Sequence, residues 1–272
     1  MEVDHDHADH LLGVDWEVHW RQLVQRRVAR FGRHEWTHFD RIARNYASAI
    51  AQQPDLLLDV IEPFLGPNKT LIDVGAGSGR HVGLLAPRLK HVVAIEPAAG
   101  MRFLIPAIDS VTVVPADWLS ADVSPADLVL SSHVLYAIAD PVPFIRKMEV
   151  SARERVFIYL RDSQPVHPAV PLGEALTGGP TPRMPQLSDL YVLLRQIGIA
   201  PDVVLWPNHW VQRYPDLDAA AAACRERLSD RWDEERGRAW LAEHLAPAPD
   251  GSLTFTDPAS VVGVIHWKPR GE

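Results

Sequence analysis

Apolar positions along this chain change their spacing repeatedly, and each change marks a new element. From Asp15 to Phe31 they recur every three or four residues (Trp16, Trp20, Leu23, Val24, Val28, Phe31), with Arg21, Arg26, Arg27 and Arg30 on the other faces. That period predicts an amphipathic helix, and Gly32 breaks it. Trp36, Phe39, Ile42, Ala43, Tyr46 and Ile50 predict a second helix. Asp55 to Phe64 predicts a third, stopped by Pro63 and Gly66-Pro67. The pattern then becomes short unbroken apolar runs separated by helical segments. The runs are Thr70–Val74, His91–Ile95, Val111–Val114, Ala126–Ser132, Arg155–Leu160, Val203–Trp206 and Ser260–Trp267. Helices are expected from Arg80 to Leu89, from Pro97, from Asp140 to about Ala152 and from Leu187 to Ile197. Unbroken runs of that length suit strands covered on both faces, so the alternation predicts an α/β fold with a mostly parallel sheet.

Two stretches interrupt the alternation. Between Asp162 and Pro185 stand prolines at 165, 168, 171, 180, 182 and 185 with Gly178-Gly179, a composition that reads as a lid over a site or as a mobile surface loop. From Leu217 to Leu245 acids alternate with arginines, as in a solvated pair of helices, and Gly251 to Thr256 reads as a turn followed by a short strand. The expected organisation is a tail and helical cap over residues 1–54 and one main domain over 55–272, with insertions near 162–186 and 207–250.

The richest chemistry lies in Leu71-Ile-Asp73-Val-Gly75-Ala-Gly77-Ser-Gly79-Arg80. A strand enters three glycines at alternate positions and a helix follows. Glycine lets the backbone take positive φ and lets a ligand approach a main chain without a Cβ. The helix start beyond it presents N–H groups. The spacing D-x-G-x-G-x-G is not the dinucleotide fingerprint G-x-G-x-x-G. It resembles the first motif of the class I S-adenosylmethionine-dependent methyltransferases of the small-molecule type.

That resemblance, good over residues 55 to 160, implies a Rossmann-like seven-stranded sheet with helices on both faces. The last two long strands would form its antiparallel edge. It also implies S-adenosylmethionine as cofactor, with Asp73, Gly75, Gly77 and Gly79 in its first motif. Glu96, ending the second predicted strand, would accept hydrogen bonds from the two ribose hydroxyls, since a carboxylate offers two oxygens to a vicinal diol. Asp117 would accept the adenine amino group and Trp118 would stack on the ring. Ser132, His133 and Tyr136, at the exit of the fourth strand, would border the methionine half and the methyl acceptor. His133 is the first candidate for a general base and Tyr136 for a positioning donor. The segment lacks the Asn-Pro-Pro-Tyr or Asp-Pro-Pro-Tyr of enzymes that methylate nucleobase amino groups, and the Pro-Cys of those that attack pyrimidine carbon. The implied activity is methyl transfer to a small, partly apolar acceptor. The alternatives are a non-catalytic cofactor- or nucleoside-binding protein, and a tRNA or protein methyltransferase using the arginine-rich helix.

Composition narrows the picture further. A net charge of −8 argues against bulk nucleic-acid binding. The single cysteine, Cys224, excludes an internal disulfide and a multi-thiolate zinc site, and its Ala-rich helical setting makes it a packing residue. No apolar run approaches a membrane span and no leader opens the chain, so a cytoplasmic protein without membrane contact is expected. The first ten residues alternate His and Asp, as a metal-binding tail or as a disordered terminus. No metal site is expected in the fold itself. His34, His38 and Tyr46 either line the cap or pack on its helices. Of nine tryptophans, Trp206 and Trp210, with His209 between, are expected beside the Pro-rich segment and the His133 loop.

Overall fold

The apolar end of the first run makes it the centre of the sheet: in β1 (Gly66–Val74), Leu71, Ile72, Asp73 and Val74 are all buried. It lies parallel between β2 (Leu89–Ile95) and β4 (Ala126–Ser132). β3 (Val111–Val114) extends the sheet beyond β2, and β5 (Ala152–Arg161) extends it beyond β4, both parallel. With β6 (Asp202–Pro207) and β10 (Val261–Trp267) the order is β3-β2-β1-β4-β5-β10-β6, so the last two long strands hold one edge as expected. The computed structural model describes residues 13–31, 56–163, 167–179, 183–207, 211–256 and 260–270. The first-ten-residue tail, the second cap helix with His34, His38 and Tyr46, and the pair His209 and Trp210 lie outside these.

Register decides where the strand ends fall. Val74 stands level with Ile95 and with Ser131, Ile95 with Val114, and Ser132 with Tyr159. The carboxyl ends of β1 to β4 therefore finish within one residue of one another, and β5 runs two residues beyond them. Side chains fix this alignment: Thr70 donates its N–H (2.7 Å) and its hydroxyl (2.8 Å) to Asp127, whose own N–H returns to the Thr70 oxygen. The chain runs outward from β1 to β3 and returns on the other side of β1 at β4. That reversal opens a crevice between β1 and β4, the place where ligands bind in open α/β sheets.

The helices around this sheet are α1 (Trp16–Phe31), α2 (Leu56–Ile61), α3 (Arg80–Leu85), α4 (Ala99–Arg102), α5 (Pro141–Ser151) and α7 (Leu187–Gln196). α1 packs on α7 and α5. Trp20, Ile72, Val129, Ile145, Val156, Leu190 and Ile265, all fully buried, share one core, each side chain stabilising the fold by roughly 1.5–3 kcal/mol on burial.

The two insertions do not stay separate. Residues Arg161–Arg183 and Trp206–Val262 form a second compact unit. It contains α6 (Ala169–Thr177), β7 (Val211–Tyr214), α8 (Leu217–Leu228), α9 (Glu234–His244), β8 (Ala246–Pro247) and β9 (Leu253–Thr256), the three strands pairing as an antiparallel sheet β7-β9-β8. The Pro-rich stretch, read as a lid or a mobile surface loop, thus carries a helix over Ala169–Thr177. Pro168 sits at the cap of α6 and Pro171 in its first turn, where N–H groups have no intrahelical acceptor and proline costs nothing. Gly178 ends the helix at φ 71°. Cys224 is fully buried on α8 with Leu172, Leu228 and Leu241, and burial pushes its thiol up to about 11, as a packing residue requires.

His167 lies in the same core. Its Nδ1 accepts the Ala169 N–H (3.0 Å), and its Nε2 stands 3.3 Å from the Tyr214 hydroxyl. Burial, then the Arg227 charge, push the imidazole down to about 3. A histidine depressed in the folded state stabilises fully above its unfolded pKa, near 6.5, and that stability is lost as pH falls from there toward 3. Unfolding titrations should show about 2 kcal/mol lost between pH 7 and pH 5 through this group. His167→Gln should remove that part of the slope, and an unchanged slope in the variant would exclude His167 as its source.

Candidate functional site

Three glycines turn the chain at the end of β1. Gly75, Gly77 and Gly79 have φ of 72°, 58° and 79°, the left-handed region, and Gly79 caps α3. The first stretch of the loop is pinned to β2, with the Gly75 and Ala76 N–H groups donating to the Ile95 carbonyl at 2.8 and 3.0 Å. The glycines differ in surroundings. A Cβ on Gly75 would stand 2.4 Å from Val134, and one on Gly79 2.7 Å from Pro106 and 2.9 Å from the Ile105 backbone. At Gly77 nothing among the described residues lies within 4 Å, so these residues leave the loop open at that point.

Glu96 follows β2 and is buried. Its carboxylate accepts the Gly77 N–H at 2.9 Å and the Ala98 N–H at 2.8 Å, which brings a negative charge against the open part of the loop. Asp73 is buried one residue before the end of β1, level with Ala94 and Leu130. Asp117 is exposed beyond β3. Its carboxylate takes the Ser120 hydroxyl (2.5 Å) and the Ser120 N–H (3.1 Å), bonds that hold it below the usual carboxylate range.

Trp118, expected to stack on adenine, is 4% exposed and belongs to the core. Its indole N–H donates to the Phe144 carbonyl at 3.1 Å, and the Lys147 ammonium lies 4.8 Å from its ring centre. Asp117 opens the turn that runs to Ala121 and is exposed, while Trp118 packs inward against Phe144.

At the exit of β4, Ser132 is half-buried and His133 takes φ 58°, a conformation rare outside glycine. Its N–H donates to the Tyr159 carbonyl at 2.8 Å. Its ring lies parallel to that of Tyr136, with Nδ1 3.3 Å from the Tyr136 hydroxyl, and 4.7 Å from that of Tyr159. Tyr159 also meets His81 of α3 edge-on at 6.4 Å. His133 and Tyr136 are thus brought together, and Val134 between them packs against Gly75, so the two loops flanking the β1/β4 crevice touch. Tyr159 and His81 were not singled out by the sequence. Tyr159 could have been, since it stands in the fifth predicted strand, which lies parallel to β4 and places it level with Ser132.

The open glycine loop and the buried carboxylate facing it form a cradle suited to a ligand with a diol and an approachable backbone. A family model described as methyltransferase domain matches residues 42–198, more than half of the chain. Among solved structures, the YcgJ protein from Bacillus subtilis is similar with a TM-score of 0.53 and 12% identity, covering 79% of this chain and 97% of that one. A Bacillus halodurans C-125 protein whose description proposes a methyltransferase is similar with a TM-score of 0.52 and 12% identity, over 79% of this chain and 99% of that one. At such identities the likeness is one of fold. No curated protein matches the sequence.

Proposed function

This chain belongs to the methyltransferase-domain family and uses S-adenosylmethionine as methyl donor, and on that premise we propose that it methylates a small, partly apolar acceptor at the crevice between β1 and β4. The observation that carries the reading is the bond from the Gly77 N–H to the buried Glu96 carboxylate, level with the His133 turn across an aligned sheet. In this reading Glu96 accepts the ribose hydroxyls, and the loop Gly75 to Gly79 lets the cofactor approach the backbone. Asp73 stabilises the loop base, and Asp117 holds the adenine edge with its turn. Ser132, His133 and Tyr136 border the reacting end. When bound, S-adenosylmethionine supplies an electrophilic methyl group on a sulfonium.

The protein's part is placement and proton handling. Methyl transfer asks chiefly for in-line positioning and exclusion of water, and needs a base only for an acceptor that begins protonated. His133 can serve there. To take a proton at Nε2, its Nδ1 must carry the hydrogen and donate it to the Tyr136 oxygen, 3.3 Å away, which orients the ring. The rings of His133, Tyr136 and Tyr159 cluster at the end of β4, the two tyrosines almost fully buried, and an aromatic wall of this kind favours a small acceptor with an apolar part.

Calorimetry of the full chain with S-adenosylhomocysteine should show micromolar binding, about −8 kcal/mol. Transfer of labelled methyl groups from S-adenosylmethionine should then be seen to small ring compounds and not to tRNA or protein. No binding would overturn the cofactor site, and labelling of the polymers alone would overturn the acceptor class.

A further inference from the structure

Helix α1 precedes the methyltransferase fold proper, yet it is bonded to the chain just past His133 and Tyr136. Trp20 is fully buried, and its indole N–H donates to the Ile138 carbonyl at 2.8 Å. Ile138 ends the short turn Leu135–Ala137 that carries Tyr136, its N–H closing that turn on the Leu135 carbonyl at 3.0 Å. One residue along the helix, Arg21 donates its Nε to Asp140 at 2.8 Å, beyond the same turn. The helix itself is seated on α7: the Trp16 N–H donates to the Gln196 side chain at 2.8 Å, which in turn donates to the Val14 carbonyl at 3.2 Å.

The segment so held is a strained one. His133 has a positive φ, and a non-glycine residue stays there only when its surroundings over-determine it. On the N-terminal side the restraint is the bond from its N–H to the Tyr159 carbonyl. On the C-terminal side the bonds run to α1. We propose that Trp20, supported by Arg21, is a positioning residue of the active site: it fixes the turn that carries Tyr136 and so sets Tyr136 against the His133 imidazole. This makes α1 a clamp on the acceptor side of the site, and its functional meaning rests on the methyl-transfer reading of the His133 turn. Among the described residues the hydrogen bonds of Trp20 and Arg21 run to Ile138, Asp140 and Glu17 and not to the glycine loop or Glu96, so cofactor affinity should be indifferent to the clamp.

The test uses the full chain with carbon-13-labelled histidine, the His133 Cε1–H resonance being assigned with His133→Gln. Trp20→Phe keeps most of the ring volume and removes the N–H. Arg21→Gln removes the second tie from an exposed position. Leu57→Val, in the fully buried part of α2, serves as a control that destabilises without touching the turn. Trp20→Phe should move the His133 resonance, Arg21→Gln should move it less in the same direction, and Leu57→Val should leave it in place. Affinity for S-adenosylhomocysteine should stay within about twofold in all three. A His133 resonance unmoved in both Trp20→Phe and Arg21→Gln, or moved equally by Leu57→Val, would overturn the clamp. So would a loss of affinity in Trp20→Phe with His133 unmoved. If Trp20→Phe does not fold, Arg21→Gln decides alone. Failure of the parent to bind S-adenosylhomocysteine would instead sink the methyl-transfer reading, leaving the clamp to be judged on the resonances.

Discussion

Glu96→Ala is expected to weaken binding of S-adenosylhomocysteine by about 1–3 kcal/mol, five- to more than a hundredfold. Two losses combine. The proposed ribose hydroxyls lose a charged acceptor, and the Gly77 and Ala98 N–H groups lose the carboxylate that now receives them at 2.9 and 2.8 Å. The second loss concerns the shape of the site as much as its charge, because the Gly77 bond ties the open part of the loop to the end of β2. Glu96→Gln should fall between parent and Glu96→Ala, since an amide offers one acceptor oxygen where the carboxylate offers two. Calorimetry gives the affinities and urea unfolding gives the stabilities. Lower stability with unchanged affinity would reduce Glu96 to a loop anchor and remove it from the ribose.

The central sheet was legible because its signal is local and repeated. Ala126–Ser132 falls on the residues that its apolar run predicts, since a strand covered on both faces shows itself as an unbroken run, and Val111–Val114 falls on its β-branched run at the more exposed edge. The glycine loop and Glu96 were legible for a related reason: both follow directly on a strand whose end is marked by a change of composition. What escaped depends on register or on tertiary packing. Tyr159 reaches His133 only because β5 pairs with β4 in a register that sets Tyr159 level with Ser132. The left-handed backbone of His133 has no sequence mark, as glycine would have been the expected residue there. Trp118 follows Asp117 within a turn, and its burial against Phe144 is a matter of tertiary packing that adjacency to Asp117 does not show. In the Pro-rich stretch the helix is masked by composition, since Pro168 and Pro171 both fall where a helix tolerates proline. The second unit was hidden because its two segments are far apart in the chain, and neither alone shows the shared core of Leu172, Cys224 and Leu241.

Gly77→Ala and Gly79→Ala should separate binding from folding, since the two glycines share a left-handed backbone and differ in what surrounds them. Giving either a Cβ at positive φ costs about 1–2 kcal/mol of backbone strain. At Gly79 the new carbon would also lie 2.7 Å from Pro106 and 2.9 Å from the Cα of Ile105, and backbone cannot swing away as a flexible side chain can. Overpacking of this kind adds about 1–3 kcal/mol, so Gly79→Ala should lose about 2–5 kcal/mol of stability in total. At Gly77 nothing among the described residues stands within 4 Å, so Gly77→Ala should lose only the strain. Its methyl group would instead occupy the approach to the backbone at the point where the Glu96 carboxylate is bonded, the surface assigned to the cofactor. Affinity for S-adenosylhomocysteine should therefore drop by at least tenfold, about 1.4 kcal/mol, in a protein still folded at the temperature of the measurement. Thermal unfolding and calorimetry on the two variants give both quantities. If Gly77→Ala binds as the parent does, the open space over the loop is not the cofactor's, and the small-residue requirement at position 77 comes from backbone conformation alone.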